Sequence, residues 1–148
     1  VLSVHAPVPG TAVGLSEVSD PVFGQGMVGP GAAIEPAREP HEAIAPISGT
    51  VVKLHAHAFV IADEQGRGVL VHLGIDTVRL DGKGFEKLAE EGEQVAAGAP
   101  LIRWNPADVQ EEGYSPIVPV VALDADGDVI SRAVTGEVAK GEQLFQWA

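Results

Sequence analysis

Two eleven-residue segments, thirty-nine positions apart, constrain this 148-residue chain more than any other feature. Residues 5–15 are HAPVPGTAVGL and residues 44–54 are IAPISGTVVKL, with Ala-Pro, Gly-Thr, Val and Leu at identical offsets. A second pattern, an apolar residue, a glycine and an apolar residue spaced by three, occurs as Val28-Gly31-Ile34, Val95-Gly98-Leu101 and Val138-Gly141-Leu144. Each copy reads as strand, glycine requiring positive φ or a close backbone approach, then strand. Hairpin-sized repeats with little helix between them predict an all-β, antiparallel sandwich or flattened barrel over a single domain, 1–148.

The composition supports that reading. Eighteen glycines and eleven prolines punctuate the chain, and aromatic residues make up only 5% of it, so the core has to be built from Val, Ile, Leu and Ala. Two short helices are expected as connectors. FEKLAEEG (85–92) puts Phe85, Leu88 and Ala89 on one helical face before Gly92, and NPADVQEEG (105–113) opens with Asn105 as N-cap and Pro106 at the first helical position. The polar, proline-rich EPAREPHEA (35–43) reads as an exposed loop carrying a solvated His41, and His5 is read the same way.

Nine basic against twenty-one acidic residues give a net charge of −12, which excludes nucleic acid as a partner and suits a basic protein surface. There is no cysteine, hence no disulfide or thiolate metal site. No apolar run reaches membrane-spanning length and no leader pattern opens the chain, so direct membrane insertion is not expected and a cytoplasmic location is.

The chemistry-bearing residues lie in KLHAHAFVIAD (53–63) and GVLVHLGIDTV (68–78), joined by the turn signal EQGRG. The two runs predict an antiparallel hairpin in which His57 lies within a residue or two of His72. Two facing imidazoles are unusual in a core, because each needs a partner or must stay neutral.

The stretch from HAFVIADEQGRG through VHLGIDTVRLDGKGFEKLAEEG to VAAGAPLI resembles the glucose-type enzyme IIA (EIIA) domains of the bacterial phosphoenolpyruvate-dependent sugar phosphotransferase system. The likeness continues upstream through DPVFGQGMVGPGAAIEP and IAPISGTV. It implies a phosphocarrier that takes a phosphoryl group from the carrier protein HPr on a histidine and passes it to the IIB domain of a sugar permease during uptake. Carried over, His72 is the phosphoacceptor through its tele nitrogen, and His57 stabilises the phosphoryl group. Gly74 leaves room and backbone donors beside the site, and Asp76 orients the ring or fixes the turn. Val22, Phe23, Met27, Val28 and Leu70 match the family's hydrophobic docking ring, with Phe59 close by in sequence and its facing left open by the alternation. Regulated transporters or metabolic enzymes are further partners the family suggests. Two departures stand out: His55-Ala56 replaces the Thr-Asn that commonly precedes the partner histidine, and Leu70 stands where an aromatic is frequent.

His55, His57, His72 and Asp76 also have the composition of a zinc site. Lysostaphin-type peptidases use the same elements in the opposite order along the chain. A biotinyl or lipoyl carrier would need a modifiable lysine at a hairpin tip beside Met27, where Val28 stands instead. The expectation is therefore that no cofactor is required, that zinc binds at most weakly at His57 and His72, and that His55 sits at the rim of the pair or points away.

Overall fold

The structure is a computed structural model that describes residues 2–24 and 28–148, with the side chains of Pro21 and Val22 outside the description. The chain opens with β1 (Leu2–His5), β2 (Gly10–Gly14), the single turn α1 (Pro21–Gly24) and β3 (Gly31–Pro36). It continues through β4 (His41–Ile44), β5 (Gly49–Leu54), β6 (Ala58–Ala62), β7 (Gly68–His72), β8 (Glu86–Lys87), β9 (Gln94–Val95) and β10 (Pro100–Trp104). After α2 (Pro106–Glu111) come β11 (Val118–Ala122), β12 (Ile130–Ser131), β13 (Gly136–Val138) and β14 (Gln143–Trp147).

The strands form one eight-stranded sheet, β13-β2-β3-β11-β7-β6-β5-β9, and two three-stranded sheets, β1-β14-β12 and β4-β10-β8. Every pairing is antiparallel, as the repeats predict. The core lies between them. Val4, Phe145, Leu101 and Trp104 from the small sheets meet Phe59, Ile61, Val69 and Val71 from the large one, all nearly or fully buried. Branched aliphatic side chains standing on facing pleats fill that space, which is why so few aromatics suffice.

The strand order is palindromic about the β11–β7 pair, and the repeats explain why. His5 N–H donates to Pro46 O at 2.9 Å, and Ile44 N–H donates to Pro7 O at 3.0 Å. Each bond maps onto the other by the thirty-nine-residue offset of the sequence. Likewise Ala6 bridges Gly141 and Glu142, as Ala45 bridges Gly98 and Ala99. Gly10 and Gly49 occupy matching places: a Cβ on either would lie 2.1 Å from a neighbouring carbonyl oxygen, Glu35 O or Ala62 O. The molecule is thus two interlocked copies of one motif related by a pseudo-twofold axis.

Three expectations need correction. Gly98 and Gly141 do make positive-φ turns between strands, but Gly31 makes no turn: it lies in β3 and meets the other alternative, a close backbone approach, since the Val120 carbonyl leaves no room for a side chain. The segment 85–92 is not helical: Glu86 and Lys87 form β8 against Arg103 and Ile102, and Leu88 N–H donates to Leu101 O. An open edge of β10 offered that backbone partners, and Arg103, bridging Glu86 and Glu42, fastens the strand from the solvent side. The polar stretch 35–43 is no free loop either. Its ends lie in β3 and β4, and His41 is half-buried with its ring edge-on to Trp104, centroids 5.5 Å apart. His5 lies in β1, its Nδ1 3.2 Å from Gly141 O. The helix at α2 forms as expected, with the Asn105 side chain accepting from Ala107 N–H at 3.1 Å.

Candidate functional site

The β6–β7 hairpin builds the site. Its register pairs Ala58 with His72, so His57, one residue before Ala58, stands next to the end of β7. Leu73 N–H then donates to His57 O at 2.7 Å and continues the ladder one step beyond the strands. This brings the His57 and His72 rings edge to face, centroids 5.1 Å apart and planes inclined by 70°. His55 stacks on His57 with ring centroids 5.8 Å apart and is itself exposed. It occupies the rim, in the turn between β5 and β6 where the chain has left both strands.

The turn after β7 orients the His72 ring. Gly74 adopts φ 87, and its carbonyl oxygen turns back to accept a hydrogen bond from Nδ1 of His72. A neutral imidazole that donates through Nδ1 keeps its lone pair on Nε2. Gly74 cannot carry a side chain here: a Cβ would lie 2.6 Å from Thr77 Cγ2 and 3.0 Å from Ser115 O. Asp76 is exposed, adopts φ 61 and opens the 3-10 turn Thr77–Leu80.

Electrostatically both imidazoles favour the neutral form. Burial lowers the His72 pKa, opposed by the hydrogen bond to Gly74 O and by the carboxylates of Asp20 and Asp76. For His57, burial and then the neighbouring His72 and His55 rings bring the pKa down to about 4.

The apolar surroundings divide into two groups. Phe23 is nearly buried with its ring 5.3 Å from that of His72, and it belongs to a small cluster with Ile75, Ile117 and Val121. Val28 and Leu70 pack partly buried against that cluster. Phe59 is different. It is fully buried in the main core, so it is no part of a docking ring: its neighbour in the hairpin is Val71, and the pleat turns both inward. Met27 and the Val22 side chain lie outside the described residues. Among the described residues no group of three or more His, Asp or Glu side chains is placed to hold a metal ion, so His55, His57, His72 and Asp76 do not converge as a closed site. Thr77 escaped sequence reasoning. It is fully buried and its hydroxyl donates to Leu73 O at 2.8 Å, and only its place within GIDT pointed toward it.

The family model described as phosphoenolpyruvate-dependent sugar phosphotransferase system, EIIA 1, matches residues 2–127. The chain belongs to this family. A glucose-specific EIIA component of Oceanobacillus iheyensis is 36% identical over 98% of this chain and 89% of its own length. The glucose permease IIA from Mycoplasma capricolum superposes with a TM-score of 0.90 at 36% identity, covering 97% of this chain and 94% of that one. The beta-glucoside-specific EIIBCA component of Bacillus subtilis is 39% identical over 83% of this chain, and the match covers 20% of that protein. The EIIA-family chain thus spans about a fifth of the length of its multidomain relatives. Among the described residues no helix is long and apolar enough to cross a membrane.

Proposed function

We propose that this EIIA-family chain is a single phosphocarrier domain, 1–148, that works in the cytoplasm and relays a phosphoryl group between two proteins. HPr is the donor and the IIB domain of a sugar permease the acceptor. The observation that carries the reading is the Nδ1–H hydrogen bond from His72 to Gly74 O, which leaves Nε2 as the free nucleophilic atom beside His57. The Nε2 lone pair attacks the phosphorus carried by phospho-HPr in line. The incoming N–P bond forms as the bond between phosphorus and the donor breaks, and transfer to the IIB domain repeats this with His72 as leaving group.

Each neighbour has a part in that exchange. A neutral His57 donates a hydrogen bond to the phosphoryl oxygens, and its low pKa means it carries no competing charge before the group arrives. Phe23, Val28 and Leu70 supply an apolar surround that two successive partners press against. Fusion of EIIA units with EIIB in relatives named EIIBCA and EIICBA supports a IIB-type acceptor. The acidic surface suits a basic donor. No metal takes part, and zinc at His57 and His72 is a weak side reaction.

Incubation with phosphoenolpyruvate, enzyme I and HPr, followed by mass measurement, tests the reading. One acid-labile phosphoryl group is expected on the wild type and none on His72→Gln. Phosphorylation of His72→Gln on another histidine overturns the assignment.

A further inference from the structure

The loop after β7 is held by two hydrogen bonds and a packing contact, and one of the bonds comes from a side chain that can be altered on its own. Among the described residues Thr77 is the only polar side chain in the buried core, with no exposed surface. Its hydroxyl donates to Leu73 O at 2.8 Å. Its methyl group packs against Gly74, so closely that a Cβ there would approach Cγ2 to 2.6 Å. Ile75 N–H donates to Ser115 O at 2.9 Å.

These bonds act on consecutive peptide units. Thr77 pins the carbonyl of the Leu73–Gly74 peptide, and Ser115 pins the N–H of the Gly74–Ile75 peptide. In a trans peptide the carbonyl points opposite to the N–H. Fixing Ile75 N–H toward Ser115 therefore aims Gly74 O the other way, at Nδ1 of His72. Gly74, at φ 87, has the freedom to swing if either neighbour is released. The Ser115 contact is backbone to backbone and has no side chain to remove, so the Thr77 hydroxyl is the adjustable half of the clamp.

We infer that Thr77 is a positioning residue for phosphoryl transfer, selecting the Nδ1–H tautomer of His72 by holding the Leu73–Gly74 peptide in place. The inference rests on the reading of His72 as phosphoacceptor. With the clamp intact, Nε2 is the unprotonated nitrogen. Once the clamp is lost, Gly74 O drifts from the ring, the neutral imidazole distributes its proton over both nitrogens, and part of the population presents an N–H to the donor.

The test uses Thr77→Val and Thr77→Ser in the whole chain, with His72→Gln alongside. Long-range proton–nitrogen correlation spectra read the His72 tautomer, and phosphoryl acceptance from phospho-HPr reads kcat and KM. The wild type is expected to show unprotonated Nε2. Thr77→Val is expected to show mixed tautomers and a kcat lowered about tenfold with KM unchanged, the scale set by loss of one hydrogen bond to a reacting group. Thr77→Ser, which keeps the hydroxyl and gives up only the methyl, should retain tautomer and kcat even where its melting point falls. Because the serine variant makes its own prediction, the idea stays exposed if the valine variant does not fold. A wild-type tautomer and rate in Thr77→Val, or a mixed tautomer in Thr77→Ser, overturns the inference. An inert His72→Gln beside a wild-type-like Thr77→Val overturns this inference alone, whereas phosphorylation of His72→Gln removes the reading beneath it.

Discussion

The imidazoles of His57 and His72 meet edge to face at 5.1 Å across the open end of a hairpin whose register pairs Ala58 with His72. One ring is anchored to Gly74 O, and the backbone of the other is held by the bond from Leu73 N–H to His57 O. Their roles should separate on substitution. His57→Gln is expected to accept phosphate from HPr about tenfold more slowly, because an amide replaces one donated hydrogen bond. It should fail to pass the group on efficiently, because an amide cannot share a proton as imidazole does. Equal losses in the two half-reactions, measured by rapid-quench assays, would contradict this division.

Acid should loosen the fold through the same histidine. In the unfolded chain His57 titrates near 6.5, and in the folded chain burial and the adjacent rings bring it to about 4. Between those values the unfolded state holds more protons, so stability is full above pH 6.5 and declines as pH falls toward 4. The contribution of His57 is about 1 kcal/mol after solvent screening of a half-buried ring. His41 and His72, lowered chiefly by burial, act in the same direction. Relief of repulsion among the acidic residues opposes them, so the comparison is between variants. Denaturant midpoints at about pH 7.5 and 5 should drop less for His57→Gln than for wild type.

Gly74→Ala is expected to be costly out of proportion to one methyl group. The new Cβ meets Thr77 Cγ2 and Ser115 O at 2.6 and 3.0 Å on a backbone at φ 87. Strain and overpacking together should destabilise by about 2–4 kcal/mol. Phosphoryl acceptance should fall even in the fraction that stays folded, since the carbonyl facing His72 must move. A thermal melt with a parallel phosphorylation assay reads both effects.

Chelation should leave phosphoryl acceptance unchanged. Among the described residues the site presents two imidazoles together, His57 and His72, and a tetrahedral zinc site requires two more donors. Activity lost on treatment with a chelator and restored by one equivalent of zinc would favour a metalloenzyme instead.

The parts of this molecule legible in the sequence are those in which local spacing and global structure agree. The Ala-Pro-x-x-Gly-Thr repeats announced a β fold, and their hydrogen bonds to one another are its pseudo-twofold axis. The hairpin turn between Ala62 and Gly68 placed His57 beside His72 because period-two alternation leaves little freedom once the turn is known. Residues 85–92 went the other way. Phe85, Leu88 and Ala89 have helical spacing, yet pairing with Arg103 and Ile102 decides the outcome, and no local pattern encodes a partner so far along the chain. Phe59 was ambiguous for a related reason: alternation says that it shares a face with Ile61, not which face is covered. Thr77 was silent because a hydroxyl earns its importance only from the carbonyl it reaches, here that of Leu73.

The pairing of Leu2 with Trp147 has a mechanical consequence. The two ends of the chain lie side by side on antiparallel neighbours, so tension applied between them pulls on one hydrogen-bond pair at a time, opening the ladder like a zipper rather than shearing it. Resistance to stretching should therefore be low and should yield first along β1 and β14. His72 lies in the eight-stranded sheet, at the end of a strand with neighbours on both sides. A pull transmitted from a covalently attached neighbour would fray the terminal strands well before it disturbed the histidine pair.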